Sequence, residues 1–258
     1  MENNFKNFAE NLAHQAGEIM RKNFKLGMDK EWKGDHTPVT ETDKIINALV
    51  LEEVKNNFPT HSVLSEEGNS ILENSEYVWV CDPVDGTHNF SHGIPTSTFL
   101  LTLTKNGMPI LSIVYDPFMD RLFFAEKGKG AFMNGDLIKV SKSENVKATV
   151  IGVGKWNKTI NLFPVGQELN KRGVRLISGL SVGYMGALVA IGEMSALVFG
   201  GNDPHDTSAI QLLVEEAGGE ATDLFGKNTR YDQDVEGQLA TNGLVHDEIL
   251  DIIKNFAK

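Results

Sequence analysis

The chain has 258 residues, 41% of them hydrophobic and 23% charged, with a formal net charge of −11. That length can bury a substantial core as one or two domains, and the negative balance argues against nucleic acid as a main partner, because phosphate backbones need a basic face. One cysteine, Cys81, excludes an intramolecular disulfide, which together with the absence of a signal-peptide pattern or a membrane-length apolar run leads us to expect a cytoplasmic protein with no membrane contact.

Phe5, Phe8, Leu12, Ala16, Ile19, Met20 and Phe24 recur at helical spacing and predict an amphipathic first helix that Gly27 ends. After a polar loop, Thr40 and Asp43 resemble a capping pair. Ile45, Ile46, Leu49, Val50 and Val54 then form the stripe of a second helix that stops before Pro59. A short strand is expected at 61–64. An apolar run then leads to Asp82, where Pro83 is expected to mark the strand's exit. From Thr98 to Phe124 the pattern is that of strands, with Asn106-Gly107 as a hairpin turn and Asp116-Pro117 opening another. A strand at 149–153, a small-residue helix at 180–191, a strand at 196–199, a helix containing Asp206 and a closing helix at 246–256 complete the pattern, which indicates mixed α and β structure.

The chemistry concentrates in Asp82-Pro83-Val84-Asp85-Gly86-Thr87. Two carboxylates three residues apart could converge with the Val84 carbonyl, while Gly86 lets the backbone approach a ligand and Thr87 offers a hydroxyl and an N–H. Carboxylates for a hard cation beside N–H donors for an anion are the parts of a metal-assisted phosphate site. Alone, the segment reads equally well as an Asp-Pro turn. Two further acidic stations shift the balance: Ser65-Glu66-Glu67-Gly68 upstream, and Asp206 downstream at the head of an apolar stretch ending in Glu215-Glu216-Ala217-Gly218-Gly219. Asp43 alone would be a helix-cap acid, Lys33 a surface lysine, Glu67 a neighbour of Glu66 that faces solvent or supports the site from behind, and Asp223, Asp232 and Asp234 solvated loop charges. His88, His92 and His205 lack the spacing of a zinc site.

In that combination, with Val39-Thr40-Glu41-Thr42-Asp43, Gly128-Lys129-Gly130-Ala131-Phe132 and Thr241-Asn242-Gly243, the chain resembles the inositol monophosphatase family over nearly its whole length. The resemblance implies a layered α/β/α/β/α sandwich, a single catalytic unit over 1–258 with possible sub-domains 1–143 and 144–258, and a break near 141–148. It implies a Mg²⁺-dependent, lithium-sensitive phosphatase of small molecules, working as a homodimer with two or three Mg²⁺ ions per site. Glu66, Asp82 and the Val84 carbonyl would hold one ion; Asp82, Asp85 and Asp206 would hold a second; a third would sit near Glu66. A metal-activated water, oriented by Glu66 and Thr87 with Thr87 held by Asp43, would be the nucleophile. Asp85, Gly86, Thr87 and Asp206 would receive the phosphate, and Lys33 matches a lysine of the family's mobile loop.

The departures lie on the substrate side. The family's tryptophan before the last metal aspartate is replaced by His205, and 199–204 lacks the glutamate that inositol-specific members use for ring hydroxyls. Asp203 could substitute or belong to an Asp-Pro turn, and Ser178 and Gly179 belong to a segment, 175–183, that would shape the pocket. The expected substrate is an inositol or related polyol monophosphate. Histidinol phosphate, fructose 1,6-bisphosphate and 3′-phosphoadenosine 5′-phosphate are alternatives with the same mechanism. An alternative of another class is a non-catalytic metal-bound interaction protein.

Overall fold

A computed structural model describes residues 2–34, 37–73, 75–154 and 160–257. In chain order its elements are α1 (Glu2–Asn23), β1 (Glu31–Trp32), β2 (Pro38–Val39), α2 (Glu41–Asn57), β3 (Ser62–Ser65), β4 (Tyr77–Asp85), α3 (Thr87–Ser91), β5 (Thr98–Lys105), β6 (Met108–Asp116), β7 (Arg121–Glu126), β8 (Gly130–Met133) and β9 (Asp136–Leu137). The second half adds β10 (Val150–Gly154), α4 (Phe163–Lys171), β11 (Arg175–Ile177), α5 (Val182–Ala190), β12 (Ala196–Phe199), α6 (Pro204–Glu216), β13 (Glu220–Thr222), β14 (Gln238–Thr241) and α7 (His246–Phe256).

The strands form a seven-stranded sheet in the order β3-β4-β5-β6-β7-β8-β9 and a five-stranded sheet in the order β11-β10-β12-β14-β13, with β1 and β2 as a separate pair. Strand periodicity sorts the side chains into layers. On β5, Phe99, Leu101 and Leu103 pack against α1 and α2 with Trp79 and Ile113, while Leu100 turns to the other face and joins Val114 beneath α5 and α6. On β12, Leu197 and Phe199 face that same middle layer, and Ala196 and Val198 face α4 and α7. The layers therefore run α1/α2, large sheet, α5/α6, small sheet, α4/α7, the expected α/β/α/β/α sandwich. Helix α6 is buried almost all round, from Thr207 to Val214, as a helix between two sheets must be.

Several expectations hold to within a residue or two. Helix α2 starts from Thr40, whose N–H donates to Asp43 Oδ2 at 2.9 Å, and Asn106 and Gly107 turn the β5–β6 hairpin at φ 51° and 78°. Ile45, placed on the buried stripe, is 40% exposed, and Ile46 carries the packing instead. The larger correction is at Pro83. Strand β4 continues through it to Asp85, with a break in register between Asp82 and Asp85 against β5. The other neighbour, β3, pairs only as far as Cys81, so the missing Pro83 N–H falls in a bulge where no ladder bond is lost. Asp223 is not a solvated loop charge: it is 6% exposed, and its Oδ1 accepts the N–H groups of Phe225 and Lys227 at 2.8 Å.

Candidate active site

The end of β4, the loop entering α3, the N-terminus of α5, the end of β12 and the first turn of α6 meet at one cleft of about 340 Å³. Glu66, Asp82, Val84, Asp85, Gly86, Thr87, Gly179 and Asp206 line it, so the three acidic stations of the sequence, the last of them more than 100 residues beyond the other two, open into a common space. The bulge in β4 is what turns Asp82 and Asp85 to the same cleft, since strict alternation would send residues three apart to opposite faces. Asp82 Oδ1 accepts the Val84 N–H at 3.0 Å, which closes the bulge on itself.

Asp85 is firmly held. It accepts the N–H groups of Val182 at 3.2 Å and Gly183 at 2.7 Å from the first turn of α5, and the Thr98 hydroxyl at 2.7 Å. Gly86 follows at φ 81°, and a Cβ there would lie 2.8 Å from that of Ser181, so both backbone shape and space require glycine. The Thr87 hydroxyl lies 2.9 Å from Asp43 Oδ1 and 2.8 Å from the Val84 carbonyl oxygen. Asp43 stands behind the cleft, fully buried, where it both caps α2 and accepts from Thr87.

Burial dominates the electrostatics. It pushes Asp82 well above the ordinary carboxylate range, with the charges of Glu66, Asp85, Asp206 and Asp43 acting in the same direction. Burial likewise raises Asp85 to about 6, against the opposing hydrogen bonds from Thr98 and Gly183. Asp43 is also raised by burial to about 6, although Thr40 and Thr87 donate to it. Lys33 reaches Glu66 at 2.8 Å and also pairs with Glu67. Burial works to lower its ammonium, but the two glutamates outweigh that and raise it.

Buried carboxylates that raise one another's affinity for protons fit a cation. The donors that line the cleft are carboxylates and a main-chain carbonyl, a hard all-oxygen set of the kind Mg²⁺ takes.

The remaining expected residues are placed less centrally. Asp203, His205 and Asp206 offer potential ligand atoms within 4.8 Å of one another, and His205 Nε2 is 3.9 Å from Asp206 Oδ1. Gly179 lines the cleft and its carbonyl accepts from Asn89 Nδ2 at 2.6 Å, tying the 178–181 loop to α3. Ser178 lines a separate groove with Val153, Phe163 and Leu176. The segment 175–183, expected to shape the pocket, contributes Leu180, Ser181 and Val182 to the lining, whereas sequence reading missed Thr98 as a support and Met185 and Phe199 as apolar lining. None of the missed residues carries a motif. Ser181 had a signal of its own, as the cap of α5.

A sequence model of the inositol monophosphatase family matches residues 1–256. The fructose-1,6-bisphosphatase/inositol-1-monophosphatase of Thermotoga maritima is 32% identical over 217 residues, covering 83% of this chain and 82% of its own. Inositol monophosphatase 2 of Solanum lycopersicum is 35% identical over 265 residues, covering 96% and 97%. Among solved structures, an IMPase of Thermotoga maritima superposes with a TM-score of 0.89 at 29% identity, covering 99% of this chain and 98% of that one.

Proposed function

The chain belongs to the inositol monophosphatase family and is a phosphatase of small molecules, and from that premise we propose that it hydrolyses a phosphate monoester with Mg²⁺ held by Glu66, Asp82, Asp85, Asp206 and the Val84 carbonyl. The observation that carries the reading is the convergence of these oxygen donors on one cleft with the buried Asp43–Thr87 pair behind them. Bound there, Mg²⁺ would acidify water and neutralise charge on the phosphoryl group.

The chain's own residues would do the rest. The Thr87 hydroxyl has one proton, which Asp43 or the Val84 carbonyl accepts, so its lone pair faces the cleft as an acceptor for a water proton. Glu66 is the second acceptor, and the two together would orient the attacking water. The Gly86 and Thr87 N–H groups would take phosphate oxygens. No side chain is assigned to leaving-group protonation.

The names of relatives support polyol and sugar phosphates as the reference substrates, with histidinol phosphate and 3′-phosphoadenosine 5′-phosphate as ring-bearing alternatives. The family resemblance also leads us to propose lithium sensitivity, a homodimer and a cytoplasmic site of action. Among the described residues no helix is long and apolar enough to cross a membrane. The test is phosphate release from a panel of such esters with Mg²⁺, with EDTA, and with Mg²⁺ plus lithium. Release that needs Mg²⁺ and falls with lithium is expected. Release unaffected by EDTA would overturn the metal assignment, and metal binding without any release would favour a non-catalytic interaction protein.

A further inference from the structure

We propose that Phe199 selects a leaving group with a flat apolar or aromatic face over a polyol; this rests on the phosphatase reading above and narrows its substrate class. Beyond the acidic groups, the described lining of the cleft includes Leu180, Val182, Met185 and Phe199. Their side chains offer no hydrogen-bond donor or acceptor to a hydroxyl apart from the weakly accepting Met185 sulfur. Ser181, between them in sequence, already accepts the Tyr184 N–H and lies 3.3 Å from the Thr98 hydroxyl. Among the described residues Thr37, Thr87 and His88 also bring neutral polar side chains to the lining, and His88 stacks on His92 with ring centroids 4.6 Å apart.

Phe199 is 5% exposed, packed in the middle layer as well as lining the cleft. A Cβ on Gly201 would lie 2.4 Å from its Cε1 and 2.6 Å from its Cζ, and one on Gly154 would lie 3.3 Å from its Cδ2. The ring thus occupies space that two glycines leave open. The same point on Gly201 is 3.0 Å from Asp206 Oδ2, so the ring stands beside a carboxylate of the reacting end. A rigid apolar surface costs little ordering on binding. Polyol hydroxyls set against it lose water without gaining partners, a penalty for each group. A ring in that position keeps its buried apolar area and can pack edge-to-face or offset on Phe199. The reaction is unchanged: water's oxygen bonds to phosphorus, the ester P–O bond breaks, and of that water's two protons one stays on the inorganic phosphate while the equivalent of the other reaches the leaving alkoxide through solvent to give an alcohol.

The experiment compares kcat/KM of the Mg²⁺-loaded enzyme for 2-phenylethyl phosphate, glycerol 2-phosphate and myo-inositol 1-phosphate, all alkyl esters, in wild type and in Phe199→Ala and Phe199→Leu. The wild type is expected to favour the phenyl ester by about tenfold or more. Phe199→Ala should collapse that ratio mainly through the KM of the phenyl ester, and Phe199→Leu, which keeps an apolar side chain, should reduce it partway. Equal or better use of the polyol esters by wild type, or a ratio unchanged in a folded variant, overturns the proposal while leaving the phosphatase reading standing. No Mg²⁺-dependent release from any ester overturns both.

Discussion

The Thr87 hydroxyl lies 2.9 Å from Asp43 Oδ1, which joins the residue that opens α3 to the capping acid of α2. Each group has a structural duty and, in the proposed reaction, a chemical one. Thr87→Ala should lower kcat about a hundredfold while shifting Mg²⁺ affinity little, because its oxygen is assigned to water rather than to metal. Steady-state kinetics beside a calorimetric Mg²⁺ titration would separate the two. An equal loss of both would contradict the water-orienting role.

The acidic cluster should make the metal-free protein lose stability with rising pH. Asp43 and Asp85 sit near 6 in the folded chain, well above their ordinary 3.8. Between those values the folded state binds more protons than the unfolded one, so stability falls as pH rises through the window, by up to about 1.4 kcal/mol per unit for each group. EDTA-treated protein should melt at a higher temperature at pH 5 than at pH 7.5, and Mg²⁺ should restore the loss at pH 7.5. A melting temperature that rises from pH 5 to 7.5 without metal would contradict this.

Gly183 donates its N–H to Asp85 and has no room for a side chain. A Cβ would lie 2.4 Å from Leu100 Cδ2 and 2.7 Å from Asp85 Oδ2. Gly183→Ala should therefore cost about 1–3 kcal/mol of stability and, by displacing Asp85, reduce kcat/KM by roughly tenfold or more. Thermal melts and kinetics on the same preparation check both, and a variant that melts and turns over like wild type would place Asp85 outside the reacting machinery.

Lys33 is paired with Glu66 at 2.8 Å, so on the proposed metal assignment it would compete with a cation there. Lys33→Gln should tighten Mg²⁺ binding by roughly two- to tenfold, since the ammonium no longer has to be displaced, and should lower the melting temperature of the EDTA-treated protein. Weaker Mg²⁺ binding in the variant would show that Lys33 supports the site rather than occupying it.

Much of the fold was legible because periodicity and turn chemistry agree with the final packing. The stripe from Phe8 to Met20, the Asn106-Gly107 hairpin and the strand 196–199 each carry a local signal that tertiary contacts reinforce. Helix α4 was not legible. Pro164 and Gly166 suggest a loop, yet the proline stands in the helix's first turn, where no N–H is needed. The short strands β11, β13 and β14 exist because neighbours pair with them, which their own three or four residues do not announce. The acidic residues of the site could be named from motif spacing, since carboxylates in that register have a specific chemistry. The lining could not, because Met185 and Phe199 are indistinguishable in sequence from core residues until the layers bring them to the cleft.

The most direct test of the account is Asp85→Asn, measured for phosphate release and for Mg²⁺ binding in the same preparation, with circular dichroism to confirm the fold. Losing the charge while keeping the shape should reduce turnover roughly a hundredfold or more and weaken Mg²⁺ binding in a chain that remains folded. A folded Asp85→Asn protein that binds Mg²⁺ and releases phosphate as wild type does would contradict the assignment of this cleft as the metal-dependent phosphatase site.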